Sequence, residues 1–190
     1  MARVAVQLTN FTGGELSPRL DGRNDLGKYP SAARRSGTQF VAEVKNSSAK
    51  TRLIPFEFST TQTYMMEFGN QYIRFYKDNG QILESNVTIS GATQANPVVV
   101  TATGHSYSNG DEISITSVAG MTELNNKRYL VANKTTNTFE ITDIDGTNIN
   151  GTGFTAYSSG GVANRVYEIA TPYLTAELFD LKFAHFVSRI

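Results

Sequence analysis

The chain has 190 residues, no cysteine, and 17 basic against 17 acidic residues, so its formal net charge is zero. This excludes disulfides, zinc–thiolate centres and thiol nucleophiles, and it argues against a strong field for nucleic acid or an anionic membrane surface. Charged residues make up 18% of the chain, below the roughly 25% of an average soluble domain; Thr, Ser, Asn and Gly fill the gap. No run approaches about 18 apolar residues, and no signal-peptide h-region opens the chain, so neither membrane insertion nor secretion by that route is expected.

Residues 3–8 alternate as a short strand, with Val4 and Val6 facing one way. Gly13, Gly14, Gly22 and Gly27, with Pro18 and Pro30, then forbid a long regular element. Arg19, Asp21, Arg23, Asp25 and Lys28 alternate in sign, which suits an extended arm over 1–37 lying on a complementary surface, or a solvated loop.

From Thr38 to Leu83 the pattern is an antiparallel meander. Phe40, Ala42 and Val44 share a face of its first strand; Ile54, Phe56 and Phe58 of its second; Tyr64, Met66 and Phe68 of its third. In the fourth, Ile73 and Phe75 lie opposite Tyr72, Arg74 and Tyr76. Asn46-Ser47-Ser48, Gly69-Asn70 and Asp78-Asn79-Gly80 are the turns, the last a strong hairpin signal. The large apolar side chains lead us to expect a second apolar core here. The face holding Tyr72, Arg74 and Tyr76 is also an aromatic platform of the kind that stacks sugars or bases, though no basic cluster accompanies it.

Residues 85–96 form a hinge with a short strand at 86–89. Between Pro97 and Val162 the apolar residues alternate in short runs: Ile113 and Ile115, Tyr129 and Val131, Phe139 and Ile141. Period two over four to six residues is the pattern of half-buried strands. Asn109-Gly110-Asp111, Asn125-Asn126, Asp145-Gly146 and Ser158-Ser159-Gly160-Gly161 bound them as turns. Residues 97–162 therefore read as a small β-barrel module, inserted into an outer β domain made of 38–96 and 163–190. Residues 164–169 return as a strand. Thr171 as N-cap, Pro172 behind it, and Leu174, Leu178, Leu181 and His185 at helical spacing predict one short C-terminal helix. The fold class expected is all-β.

Catalytic and metal patterns are weak. The two histidines, His105 and His185, have no partner imidazole at helical spacing, so a zinc centre is not expected. His105, Ser106 and Asp111 contain the residue types of a hydrolytic triad without a nucleophile elbow. Asp143-Ile144-Asp145-Gly146 lacks the later ligands of a calcium loop and reads as a β-turn. Gly151-Thr152-Gly153 and Gly13-Gly14 precede no helix that would bind phosphate. No catalytic residue, metal or cofactor is expected.

Two resemblances add to this. Gly104-His105, Gly110-Asp111, Gly120, Leu124-Asn125, Tyr129–Val131, Thr138-Phe139 and Tyr157–Gly161 resemble a module common in phage tail proteins. That module is itself similar to the first catalytic-cysteine half-domain (FCCH) of ubiquitin-activating enzymes, an accessory β-structure that does not hold the nucleophile. Without cysteine, thioester chemistry is excluded, so this resemblance implies a fold and not an activity. Separately, residues 11–23, the Asp25-Leu26 and Lys28-Tyr29 pairs, Arg34–Lys45 and Leu181–Ala184 resemble short-tailed phage tail nozzle proteins of the tail tubular protein B type. Two departures stand out: the spacer between Tyr29 and Arg34 is short, and Ser36 replaces a proline. The final residues, 185–190, follow no pattern of that family and suggest a truncated remnant.

The nozzle resemblance implies a non-enzymatic structural component of a phage or prophage tail. Copies of the chain would form a ring, six-fold in that family, below the portal and its adaptor, with DNA passing only as non-specific cargo. Such a protein belongs to the virion tail and, during assembly, to the bacterial cytoplasm. The arm is the expected contact with a neighbour or the adaptor, through Phe11, Glu15, Arg19, Asp21, Arg23 and Asp25. The alternatives are a carbohydrate-binding or adhesin module, with Tyr72 and Tyr76 as its platform, and a tail-associated cell-wall hydrolase.

Overall fold

The computed structural model describes residues 40–59 and 62–183, which form two antiparallel sheets and no α-helix. The Phe11–Asp25 contact arm, the strand expected at 3–8 and His185 lie outside the described residues.

The first sheet holds β1 (Arg52–Ser59), β2 (Gln62–Gly69), β3 (Tyr72–Lys77), β4 (Gly80–Gln81) and β12 (Glu168–Ala170). Its order is β1-β2-β3-β12, with β4 pairing beside β12 on the same edge of β3. Asp78 and Asn79 at φ 50° and 62° make the two-residue loop that pairs Lys77 with Gly80. Two consecutive residues with positive φ fit the right-handed twist of a tight hairpin.

The second sheet holds β5 (Val87–Thr88), β6 (Gly91–Ala92), β7 (Val99–Thr101), β8 (Glu112–Ala119), β9 (Lys127–Ala132), β10 (Thr138–Thr142) and β11 (Ser159–Arg165). In the order β5-β11-β8-β9-β10-β7-β6 it curls into a half-barrel, whose two end strands are consecutive in the chain. The alternation in the sequence fills its interior. Ile113, Ile115, Phe139 and Ile141 have no exposed surface, and Tyr129 and Val131 almost none. They join Ile89, Val98, Val100, Met121 and Leu124 in one continuous core. Burying each such side chain contributes about 1.5–3 kcal/mol.

The chain leaves the first sheet after β4 and re-enters it at β12, so the half-barrel is inserted between two strands of the meander. The two crossing segments run as a ribbon. Leu83 bridges Val166, Glu84 N donates to Arg165 O at 2.8 Å, and Tyr167 N donates to Ile82 O at 2.9 Å.

Four expectations are corrected. Residues 40–44 form no strand: Phe40 is 63% exposed, and the Lys45 amide turns to the Glu67 carboxylate at 3.3 Å instead of a neighbouring strand. The C-terminal helix is absent, and turns occupy 175–180. Carbonyls that a helix would use internally go to the Arg52 guanidinium, from Leu178 at 2.8 Å and Leu181 at 3.0 Å. Asn70 Oδ1 holds Thr175 N at 3.2 Å, while Thr171 Oγ1, the expected cap, has no partner among the described residues. Ser159-Gly160-Gly161 lie inside β11 and not in a turn: Gly160 and Gly161, at φ 69° and 100°, distort the ladder opposite Ser117 at φ 61°. Last, the second apolar core expected of the meander does not form on its side toward the module: that face is polar, centred on the buried Glu67 and Arg74.

Candidate functional site

That polar face belongs to β2 and β3. Glu67 and Arg74 are directly paired across the two strands, and Tyr72 and Tyr76 flank Arg74 on the same side. Period two then forces all of them to one face. Glu67 has no exposed surface, and Arg74 and Tyr76 are each 1% exposed. A buried carboxylate is tolerated only when its oxygens are fully used. Here Tyr72 Oη donates to Glu67 Oε1 at 2.6 Å, Tyr76 Oη donates to Oε2, and Gln81 Nε2 donates to Tyr76 Oη at 3.1 Å. Burial, reinforced by the Glu67 charge, holds both phenols well above their ordinary pKa.

Arg74 faces the module. Its Nη1 donates to Glu112 Oε2 of β8 at 2.6 Å and its Nε to Glu168 Oε2 of β12 at 3.0 Å. Lys45 Nζ completes the chain on Glu168 Oε1 at 2.5 Å and lies 5.0 Å from the centre of the Tyr72 ring. Burial opposes the Arg74 charge, but Glu112 and then Glu168 outweigh it and hold the guanidinium above its usual pKa. Arg128 of β9 stands nearby in the opposite balance. Burial pushes its pKa down, Glu112 only partly compensates, Arg74 repels it, and its Nη1 has no partner among the described residues.

Beside this cluster lies a cleft of about 300 Å³ between the sheets, lined among others by Lys45, Arg74, Glu84, Asp111, Glu112 and Arg165. Arg165 ties its far wall, with Nη2 on Glu84 Oε2 at 2.7 Å and Nη1 on Asp111 Oδ2 at 2.9 Å. The bond to Glu84, with Asp111 behind it, raises the Arg165 pKa against its partial burial. The charges lining the cleft are thus committed to one another, and the Arg74–Glu112 pair binds the two sheets together.

The residues weighed earlier fall in separate places. Tyr72, Arg74 and Tyr76 do share a face, but it is buried against the module, so the aromatic platform for sugars or bases is not available. His105 sits edge-on to Phe139, accepts from Tyr107 N at Nδ1 (3.3 Å), and meets Thr138 O through Nε2 (3.2 Å). Its ring is occupied by backbone, and Asp111 is occupied by Arg165 and by Ser108 N at 2.8 Å, so no triad forms. Asp143 Oδ1 accepts from Asp145 N at 3.0 Å and Thr147 N at 2.8 Å, the self-satisfied turn expected of this sequence. Among the described residues, no group of three or more His, Cys, Asp or Glu is placed to hold a metal. No helix among them is long and apolar enough to cross a membrane.

Residues 95–167 match the model of the ubiquitin-activating enzyme E1 FCCH domain. This segment is an FCCH-like domain. It covers less than half of the chain, and it takes in β7 to β11 with the Arg165 end of the cleft. None of the curated proteins compared matches the chain. Glu67, Glu112 and Glu168 escaped sequence reasoning because each sits alone in its strand. The one signal was an acidic residue in one strand and a basic residue in the next, Glu67 and Arg74, each flanked by apolar residues.

Proposed function

We propose that this chain is a structural component of a phage or prophage tail, of the nozzle type, that works by subunit assembly around a channel. The observation that carries the reading is architectural: the half-barrel that contains the FCCH-like segment is inserted between β4 and β12 of a meander sheet and tied to it by the Arg74–Glu112 pair. The clustered charges are spent on shape, as suits a part that transmits force and holds register. The resemblance of residues 11–23, the Asp25-Leu26 and Lys28-Tyr29 pairs, Arg34–Lys45 and Leu181–Ala184 to tail nozzle proteins supplies the assembly context. The segment around β12 adds surface for subunit contacts, since Tyr167, Ile169, Tyr173 and Leu174 are all exposed.

In this role the chain contacts copies of itself and the adaptor and portal above it, and DNA touches it only in passing. The FCCH-like domain projects outward as decoration. The test is location: gold-labelled antibody against the chain, applied to purified tailed particles, should mark the tail below the portal vertex. Labelling of fibre tips, or absence from particles that contain every other tail protein, would contradict the proposal.

A further inference from the structure

We propose that Glu112 is a latch: it holds the FCCH-like domain against the meander sheet, and loss of its single charge lets the domain swing about the Leu83–Val166 ribbon. Three observations carry this. The continuous apolar core contains residues 89–163 only, so it ends inside the domain and does not cross the junction. The covalent connection is one short two-stranded ribbon, with Leu83 bridged to Val166. Among the described residues, the ion pair between Arg74 and Glu112 joins the two bodies beside that ribbon.

The charges nearly balance, and Glu112 is the one that balances them at the seam. On the meander side stand Lys45, Glu67, Arg74 and Glu168, with the phenols of Tyr72 and Tyr76 and the amide of Gln81. On the domain side stand Glu112 and Arg128, and at the cleft wall Glu84, Asp111 and Arg165. Glu67 is consumed by the two phenols and Glu168 is shared between Lys45 and Arg74. Glu112 alone among these carboxylates bonds the buried Arg74 across the junction and also acts on the half-buried Arg128 of the adjacent strand. Without its charge, Arg74 and Arg128 repel one another with no counter-charge between them, at a partly shielded site where like charges are costlier than in water. Opening relieves this by hydrating both. Glu112 also accepts the Val166 amide on its backbone carbonyl at 2.8 Å, which ties the latch to the hinge strand.

The experiment compares the full chain with Glu112→Gln by small-angle scattering and by amide and side-chain hydrogen exchange. In the variant the radius of gyration should increase, and the guanidinium protons of Arg74, which Glu112 holds across the junction, should exchange about a hundredfold faster or more. The amides of Ile115, Phe139 and Ile141 should keep their protection, since their core is not touched. The double variant Glu112→Gln/Arg128→Met should return the scattering profile toward the original. An unchanged profile in E112Q would overturn the proposal. So would loss of core protection in E112Q.

Discussion

Arg74 of the meander and Glu112 of the FCCH-like domain meet at 2.6 Å, with their side chains only 2% and 6% exposed. The pair is a buried ion pair between two separate sheets, so its two halves are not equivalent to deletion of both. Removing one partner leaves a buried charge unmatched and costs about 3–5 kcal/mol, whereas replacing both by apolar groups of similar volume is often near neutral. Arg74→Met should therefore lower stability by about that amount in urea unfolding. The triple variant Arg74→Met/Glu112→Leu/Arg128→Met, which leaves no guanidinium at the junction without its counter-charge, should recover most of it. A single-variant cost below about 1 kcal/mol would place the pair with surface ion pairs instead.

Gly161 lies at φ 100°, and a Cβ there would stand 2.6 Å from Val118 Cγ2. Gly146, at φ 87°, has nothing within 4 Å of the same position. Both glycines relieve a left-handed backbone, but only Gly161 also allows a close approach inside the sheet. Gly146→Ala should cost about 1–2 kcal/mol from the backbone alone, and Gly161→Ala about 1–3 kcal/mol more from overpacking. Thermal melts of the two variants decide it, and equal losses would contradict the crowding.

Phe139 is fully buried and packs against both His105 and Tyr107, with ring centroids 5.0 and 5.5 Å away. Phe139→Ala should cost about 3–5 kcal/mol. Ile73, half-buried on the far face of the meander, should lose clearly less on truncation to alanine. Denaturant titration of both variants measures the difference.

Four buried tyrosines make the fold sensitive to alkali. Burial raises the pKa of Tyr107 to about 12 and of Tyr129 to about 12, and it raises Tyr72 and Tyr76 as well. A phenol whose folded pKa exceeds its unfolded value of about 10 favours the folded state while it stays protonated. Its contribution is complete below pH of about 10 and disappears as pH rises through the folded values. Stability should be flat up to that point and then fall steeply toward pH 12, with phenolate absorbance and loss of β-sheet circular dichroism appearing together. Separate titration of these four phenols in a still-folded chain would contradict their burial.

The half-barrel was legible in the sequence because its strands have one apolar and one polar side. In Glu112–Ala119 and Thr138–Thr142 only one phase of the alternation can face a core, and Asn126, Gly110 and Gly146 mark the boundaries by positive φ. The meander was legible as strands but not as faces. In Tyr72–Lys77 both sides carry bulky residues, so periodicity cannot say which is inward, and the choice is made by Glu112 from a strand some forty residues away. The C-terminal turns illustrate the same limit. Leu174, Leu178 and Leu181 have helical spacing, yet Arg52 takes the carbonyls at 178 and 181 that would close the helix. Charge pairs between distant strands leave no local pattern, which is why the junction was missed.

The central claim, that this chain is built to assemble, is tested most directly by its solution mass, measured by light scattering across a concentration series. The account predicts one discrete oligomer, a fixed multiple of the monomer mass and six copies if the resemblance to ring-forming nozzle proteins holds. A monomer at every concentration would contradict it.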